Sequence, residues 1–226
     1  MPGRMVEIES DGESVSAYLA RPAGGSGPGV IVIQEWWGLV DHIKNVADRF
    51  AVEGFVALAP DLYRGESAGS PDAAGRLMMA LNIDRAVQDL TGAVGYLLGL
   101  DAVSSRSVGA VGFCMGGQLA LALGCATERV GAVVDLYGVH PRVKLDFARL
   151  HPPVLGLFAE RDAFVTPAVA KKLAEEIRAA GGEIELVIYP NADHAFFNDT
   201  RPDVYQRAAA EDAWRRSLGF LRTHLE

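Results

Sequence analysis

Val108-Gly109-Ala110-Val111-Gly112-Phe113-Cys114-Met115-Gly116-Gly117 is the stretch whose reading decides the fold. Val108 to Phe113 is a continuous run of apolar and small residues, which suits a strand buried on both faces of a parallel sheet. A Gly-rich turn follows at Cys114, and a helical pattern runs from Gly117 to Ala126. The pattern G-x-C-x-G-G therefore joins a strand to a helix. Such spacing has a physical reason. Glycines two before and two after the cysteine let strand and helix approach closely, and a strained turn lifts the thiol above the sheet. The helix N-terminus at that point favours a thiolate. A lone cysteine in a turn is more often a small apolar filler. Here strand, turn, glycines and helix agree, so Cys114 reads as a nucleophile. Cys125, beside Ala and Leu inside the helix, reads as core filler.

Working outward, the same kind of apolar run recurs on both sides. Gly29 to Ile33, Phe55 to Ala59, Val130 to Val134, Pro153 to Phe158 and Ile184 to Tyr189 all read as buried strands. Helical patterns separate them: Asp41 to Glu53, Asp84 to Leu98, Pro167 to Ala180 and Pro202 to His224. Pro167 and Pro202 sit where a helix would start, and Gly181-Gly182 sits where one would stop. Val6, Ile8, Val15, Ala17 and Leu19 alternate around Asp11-Gly12, the signature of a hairpin. Strand and helix in alternation give a three-layer α/β fold with helices on both faces of a mostly parallel sheet. The N-terminal hairpin adds antiparallel strands at one edge. The whole chain, 1–226, reads as one such domain.

Composition is consistent with this and narrows the partners. Of 226 residues, 50% are hydrophobic and 22% charged, which is the balance of a globular chain and excludes bulk disorder. Lys and Arg number 21 against 29 Asp and Glu, and a net charge of −8 argues against nucleic acid and anionic membranes. No apolar run reaches the length of a membrane span, and residues 1–7 lack the apolar core of a signal peptide. Two cysteines make no disulfide framework, so a cytoplasmic protein is expected. The oligomeric expectation is a monomer or a small homo-oligomer.

In sheets of this kind function gathers in the loops after the strands. Those loops hold Gln34-Glu35-Trp36-Trp37-Gly38, Pro60-Asp61-Leu62-Tyr63, Asp135-Leu136-Tyr137-Gly138, Glu160-Arg161-Asp162 and Asn191-Ala192-Asp193-His194. A cysteine nucleophile needs a base, and the base an orienting acid. His194, after the last buried strand, is the expected base, with His140 its competitor. Asp162 is the expected acid because it lies deepest in its loop; Glu160 and Asp193 are the alternatives. Acyl transfer also needs oxyanion donors, for which the amides of Met115 and Trp36 are best placed. Glu35, directly after an apolar strand, would be costly unless paired. It is expected either to accept from the thiol or to form a structural salt bridge with Arg64 or Arg85.

Taken together, the Gln34–Gly38 loop, Pro60-Asp61-Leu62-Tyr63, the Cys114 turn, Arg161-Asp162 and Asp193-His194-Ala195-Phe196 resemble the dienelactone hydrolase (carboxymethylenebutenolidase) family of α/β-hydrolases. The resemblance runs over nearly the whole chain. It implies an α/β-hydrolase fold and a hydrolase of small esters or lactones working through a Cys114, His194, Asp162 triad and an acyl-cysteine. It also implies that Glu35 pairs with the cysteine at rest and releases it when substrate arrives. No metal or organic cofactor is implied. One departure is evident. Family members that cleave dienelactones clamp the substrate carboxylate with two arginines, and one of those positions is Asn198 here. Asn198 and Arg201 are expected to face substrate, with Arg76 a further candidate cation, and Trp37, Tyr137, Phe164, Phe196 and Phe197 to wall the site. Gly138 to Pro152 leaves no room for a cap domain, so an open, shallow cleft is expected. The loss of the clamp also suits a broad carboxylesterase or thioesterase on neutral esters. A non-catalytic ligand-binding or thiol redox protein on the same fold is the reading from another class.

Overall fold

The computed structural model describes residues 2–225. Its strands are β1 (Arg4–Ser10), β2 (Glu13–Ala20), β3 (Gly27–Ile33), β4 (Val56–Pro60), β5 (Val103–Phe113), β6 (Val130–Leu136), β7 (Val154–Ala159) and β8 (Ile184–Tyr189). Its helices are α1 (Asp41–Val52), α2 (Pro71–Ala80), α3 (Ile83–Leu98), α4 (Met115–Ala126), α5 (Pro167–Ala179) and α6 (Arg207–Leu225). The strands form one eight-stranded sheet in the order β1-β2-β4-β3-β5-β6-β7-β8. β1 and β2 pair antiparallel, and β2 lies antiparallel on β4; every other pairing is parallel. The hairpin turn is Asp11-Gly12, both with positive φ, the backbone that matches strand twist.

The apolar runs are continuous because the sheet is covered twice. Side chains alternate across β3: Val30 and Val32 join the core under α1 and α6, and Ile31 and Ile33 join the core under α3 and α4. From the first face α1 contributes Ile43, Val46 and Phe50, and α6 contributes Ala213, Leu218 and Leu221. From the second, α3 contributes Leu90 and Val94, and α4 contributes Leu119 and Leu123. Each large side chain fully removed from water stabilises the fold by about 1.5–3 kcal/mol. With both layers packed this way, the loops at the carboxyl ends of β3 to β8 share one rim of the sheet.

Three elements differ from the sequence reading. α2 was not foreseen; it carries Gly75 in mid-helix and fully buries only Ala74, so no apolar face stands out. Its start was nonetheless signalled by Ser70, whose side chain accepts from Ala73 N–H, and by Pro71 in the first turn. The last helix begins at Arg207 rather than Pro202. Residues 202–206 turn instead, with Gln206 N–H bonded to Phe196 O and the Gln206 side chain accepting from Ala209 N–H. β5 begins at Val103, ahead of the apolar run; its first half alternates between half-buried and exposed residues and so shows no apolar run. Between β6 and β7 lies only a short helical turn, Phe147–Arg149, so no cap domain is inserted. No described helix is long and apolar enough to cross a membrane.

Candidate active site

Cys114 stands between β5 and α4 with φ 52° and ψ −119°, a left-handed conformation that a non-glycine residue holds only at a cost of about 1–3 kcal/mol. Its neighbours explain the glycines. A Cβ on Gly112 would collide with the Gly116 backbone, and a Cβ on Gly116 would meet the Ile33 and Gln34 carbonyl oxygens, the latter at 2.6 Å. A Cβ on Gly117 would strike the Asp135 carboxylate. The turn is thus wedged against the end of β3 on one side and β6 on the other. Met115 is the first residue of α4, so its N–H has no partner within the helix and is free to serve an oxyanion.

The His194 ring is held by three neighbours. Asp162 Oδ2 lies 2.7 Å from Nδ1, and the rings of Tyr137 and Phe164 each meet it edge-on with centroids 5.1 Å apart. Asp162 is itself fixed, because Oδ1 accepts from Phe164 N–H at 2.7 Å and from Val165 N–H at 2.9 Å. Burial opposes a charge on the ring, yet its hydrogen bond to Asp162 and the neighbouring Cys114 sulfur outweigh it and push the His194 pKa up to about 10. Nδ1 is taken by Asp162, which leaves Nε2 for the sulfur. The alternative acids have other partners: Glu160 accepts from Asn191 N–H, and Asp193 lies 3.5 Å from Arg161. His140 is buried, with its ring bonded to Met78 O and Arg142 N–H and not to the thiol.

Glu35 is 2% exposed and has neither of its expected partners. Its Oε2 accepts from Asn198 Nδ2 at 2.8 Å, and its Oε1 faces the Tyr137 hydroxyl at 3.5 Å. Arg64 and Arg85 instead hold Asp89, with Glu13 between them. The hydrogen bonds of Glu35 therefore run to Asn198 and Tyr137, and no bond joins it to Cys114.

Glu35, Cys114 and His194 open onto a cavity of about 630 Å³. Trp36, Trp37, Met78, Val139, Pro141, Phe164 and Val204 give it mostly apolar walls, and Arg161 and Arg201 line it as cations. α2 supplies Pro71 and Met78 as one wall of this cleft. Trp37, Phe164 and Arg201 line the cavity, Phe164 still 64% exposed. Tyr137, Phe196, Phe197 and Asn198 do not reach the cavity. They are buried behind it because their loops fold inward onto Phe113 and Glu35. Each arginine of the cavity already has a carboxylate: Arg201 pairs with Asp203 at 3.0 Å, and Arg161 with Asp193. Arg76 is not among the lining residues. No three His, Cys, Asp or Glu side chains gather into a metal-binding group among the described residues. Cys125 is a free thiol whose pKa burial and the nearby Asp146 charge push up to about 11.

Residues 15–225 match the model of the dienelactone hydrolase family. The chain is 38% identical over 230 residues to Protein usf of Aquifex pyrophilus, covering 99% of each chain. It is 34% identical over 231 residues to a protein of Aquifex aeolicus that bears the name carboxymethylenebutenolidase, covering 99% of this chain and 100% of that one. A crystal structure titled as a dienelactone hydrolase from Klebsiella pneumoniae superposes with a TM-score of 0.88 at 30% identity, covering 97% of this chain and 98% of that one. Fold, length and sequence thus agree along the chain, which belongs to the dienelactone hydrolase family, hydrolases of lactone and ester bonds built on the α/β-hydrolase fold.

Proposed function

We propose that the chain acts as one domain that hydrolyses small esters or lactones through a covalent acyl-cysteine at Cys114. The observation that carries this is the 2.7 Å bond between Asp162 and His194, whose ring lines the same cavity as Cys114. The sulfur, as thiolate, attacks the substrate carbonyl carbon, and the oxygen takes the charge. The Met115 and Trp36 amides are the donors positioned for that charge. His194, protonated at Nε2, gives its proton to the leaving alkoxide as the C–O bond breaks. The alcohol departs, or in a lactone stays tethered to the same acyl chain. Water then loses a proton to His194 and attacks the thioester, and the acid leaves as the thiolate is restored. Asp162 keeps the ring oriented and supports its charge throughout. Both cysteines are free, and a cytoplasmic setting would keep the nucleophile reduced.

Replacing Cys114 with alanine should abolish turnover of a p-nitrophenyl ester. Full retained activity would remove the cysteine from the mechanism and favour a non-catalytic or redox role. A second reading, a broad carboxylesterase or thioesterase on neutral esters, is favoured by one observation. The cavity is mostly apolar, and both of its arginines already meet carboxylates. Rates on a carboxylated enol-lactone and on a neutral p-nitrophenyl ester separate the two: preference for the lactone supports the first, preference for the neutral ester the second.

A further inference from the structure

Glu35 is a buried carboxylate one residue beyond β3, lining the same cavity as Cys114. A carboxylate so placed takes whatever donors are at hand, because an unpaired buried charge is costly. The thiol is one such donor, and a thiol bound to Glu35 would keep its proton on sulfur. The amide of Asn198 takes the carboxylate instead, at 2.8 Å. That amide is not free to turn. Thr200 N–H and Thr200 Oγ1 both reach Asn198 Oδ1, at 3.1 Å and 2.6 Å. A backbone N–H can only donate, so Oδ1 is the accepting end and Nδ2 must face Glu35. Asn198 is 2% exposed, so water does not compete for the bond.

We propose that Asn198, oriented by Thr200, is a positioning residue that holds Glu35 off the thiol and so leaves Cys114 paired with His194 before substrate arrives. The proton that Sγ gives up lies on His194 Nε2, the sulfur carries the negative charge, and Glu35 takes no part in the transfer. The raised basicity of His194 agrees with this. The other titratable groups bearing on the thiol are Tyr63 and Tyr137, both kept in the neutral form chiefly by burial, and Glu35 itself. Asp162 acts across the ring, and Arg161 and Arg201 stand on the cavity wall. The inference rests on Cys114 being the nucleophile.

Two readouts report the sulfur directly: ultraviolet thiolate absorbance and the rate of Cys114 alkylation by iodoacetamide, each followed against pH. The wild-type protein should show thiolate absorbance and rapid alkylation already at neutral pH, where a free cysteine is mostly the thiol. Asn198→Leu frees Glu35 to accept from the thiol, so the alkylation rate at that pH should fall by about tenfold or more and recover as pH rises, since one pKa unit is a factor of ten. Thr200→Val removes only the hydroxyl that orients the amide, and should give a smaller loss of the same kind. It keeps the test open should Asn198→Leu not fold. An alkylation profile of an ordinary thiol in the wild type overturns the proposal, as does a thiolate signature that neither variant alters. Failure of the nucleophile assignment looks different: Cys114→Ala would then retain esterase activity, whatever the alkylation profile shows.

Discussion

Replacing Asp135 with asparagine should make the protein more stable in mild alkali than in mild acid, relative to wild type. The Asp135 side chain lies at the end of β6, fully buried, and neither carboxylate oxygen has a hydrogen-bond partner. Burial pushes its pKa up to about 7, with the nearby Gly138 backbone N–H offsetting part of that rise. The unfolded value is 3.8, so the folded group is the weaker acid. Its contribution to stability is therefore greatest below the unfolded value and is lost as pH rises through the folded one. A shift of about three units corresponds to about 4 kcal/mol by linkage, of which about half is already lost by about pH 5.5. Asparagine cannot titrate. Whatever its amide costs at this buried position is the same at every pH, so the diagnostic is the change in the difference between the two proteins. Between about pH 5.5 and pH 8.5 that difference should move by about 2 kcal/mol in favour of the variant, or about 4–8 °C in Tm for a chain of this size. Urea unfolding of both proteins at the two pH values measures it. A stability difference that is the same at both would show that Asp135 titrates as an ordinary carboxylate, and the burial argument would fail.

Other outcomes follow from the same geometry. Asp162→Asn should lower kcat on a p-nitrophenyl ester by about 10³–10⁴-fold, the scale known when a serine-protease triad loses its acid, while the fold survives; an unchanged kcat would make Glu160 or Asp193 the acid. Gly116→Ala should destabilise by about 2 kcal/mol or more, because its methyl group meets backbone carbonyls that have nowhere to move, and denaturant titration reads this directly. His194 behaves as a base raised from 6.5 to about 10. Its stabilising contribution is complete below 6.5 and is lost as pH climbs through 10. The stability gap between wild type and His194→Gln should therefore narrow across that window, as followed by thermal unfolding at graded pH.

Much of this molecule could be read from the chain, and the reasons are local. Strands covered on both faces announce themselves as unbroken apolar runs, so β3, β4 and β6 to β8 were legible. The turn at Cys114 was legible because only glycine fits where strand and helix backbones nearly touch. Asp162 and His194 were legible from their places after β7 and β8, and the structure brings them within 2.7 Å. What the chain hid was direction. Asn198 and Tyr137 follow strands just as cavity residues do, but nothing in a sequence says that their loops fold inward to meet Glu35. The partners of Arg64 and Arg85 were hidden for a similar reason, since Asp89 lies on a helix remote in sequence from Arg64. α2 escaped because a helix that buries a single residue leaves no periodic trace.

That helix has a consequence for motion. α2 forms one wall of the cavity, yet little buried surface ties it down. Much of its tethering is polar: the His140 ring meets Met78 O, and the Arg142 guanidinium meets Met79 O at 2.6 Å and Leu81 O at 3.4 Å. Elements held in this way open locally at free energies far below that of global unfolding. The amides of α2 should exchange with deuterium long before those of α4, which buries most of its length. Burial holds the His140 pKa below its ordinary value, with the Met78 carbonyl working against it and the Arg142 charge adding to it. Acidification that charges the ring takes away the acceptor for Arg142 N–H, and α2 exchange should quicken further. The proposed reacting groups sit on buried elements, while α2, a wall of the same cavity, should open more readily. Mutational drift in substrate range has its easiest route there, through residues that the chemistry does not touch.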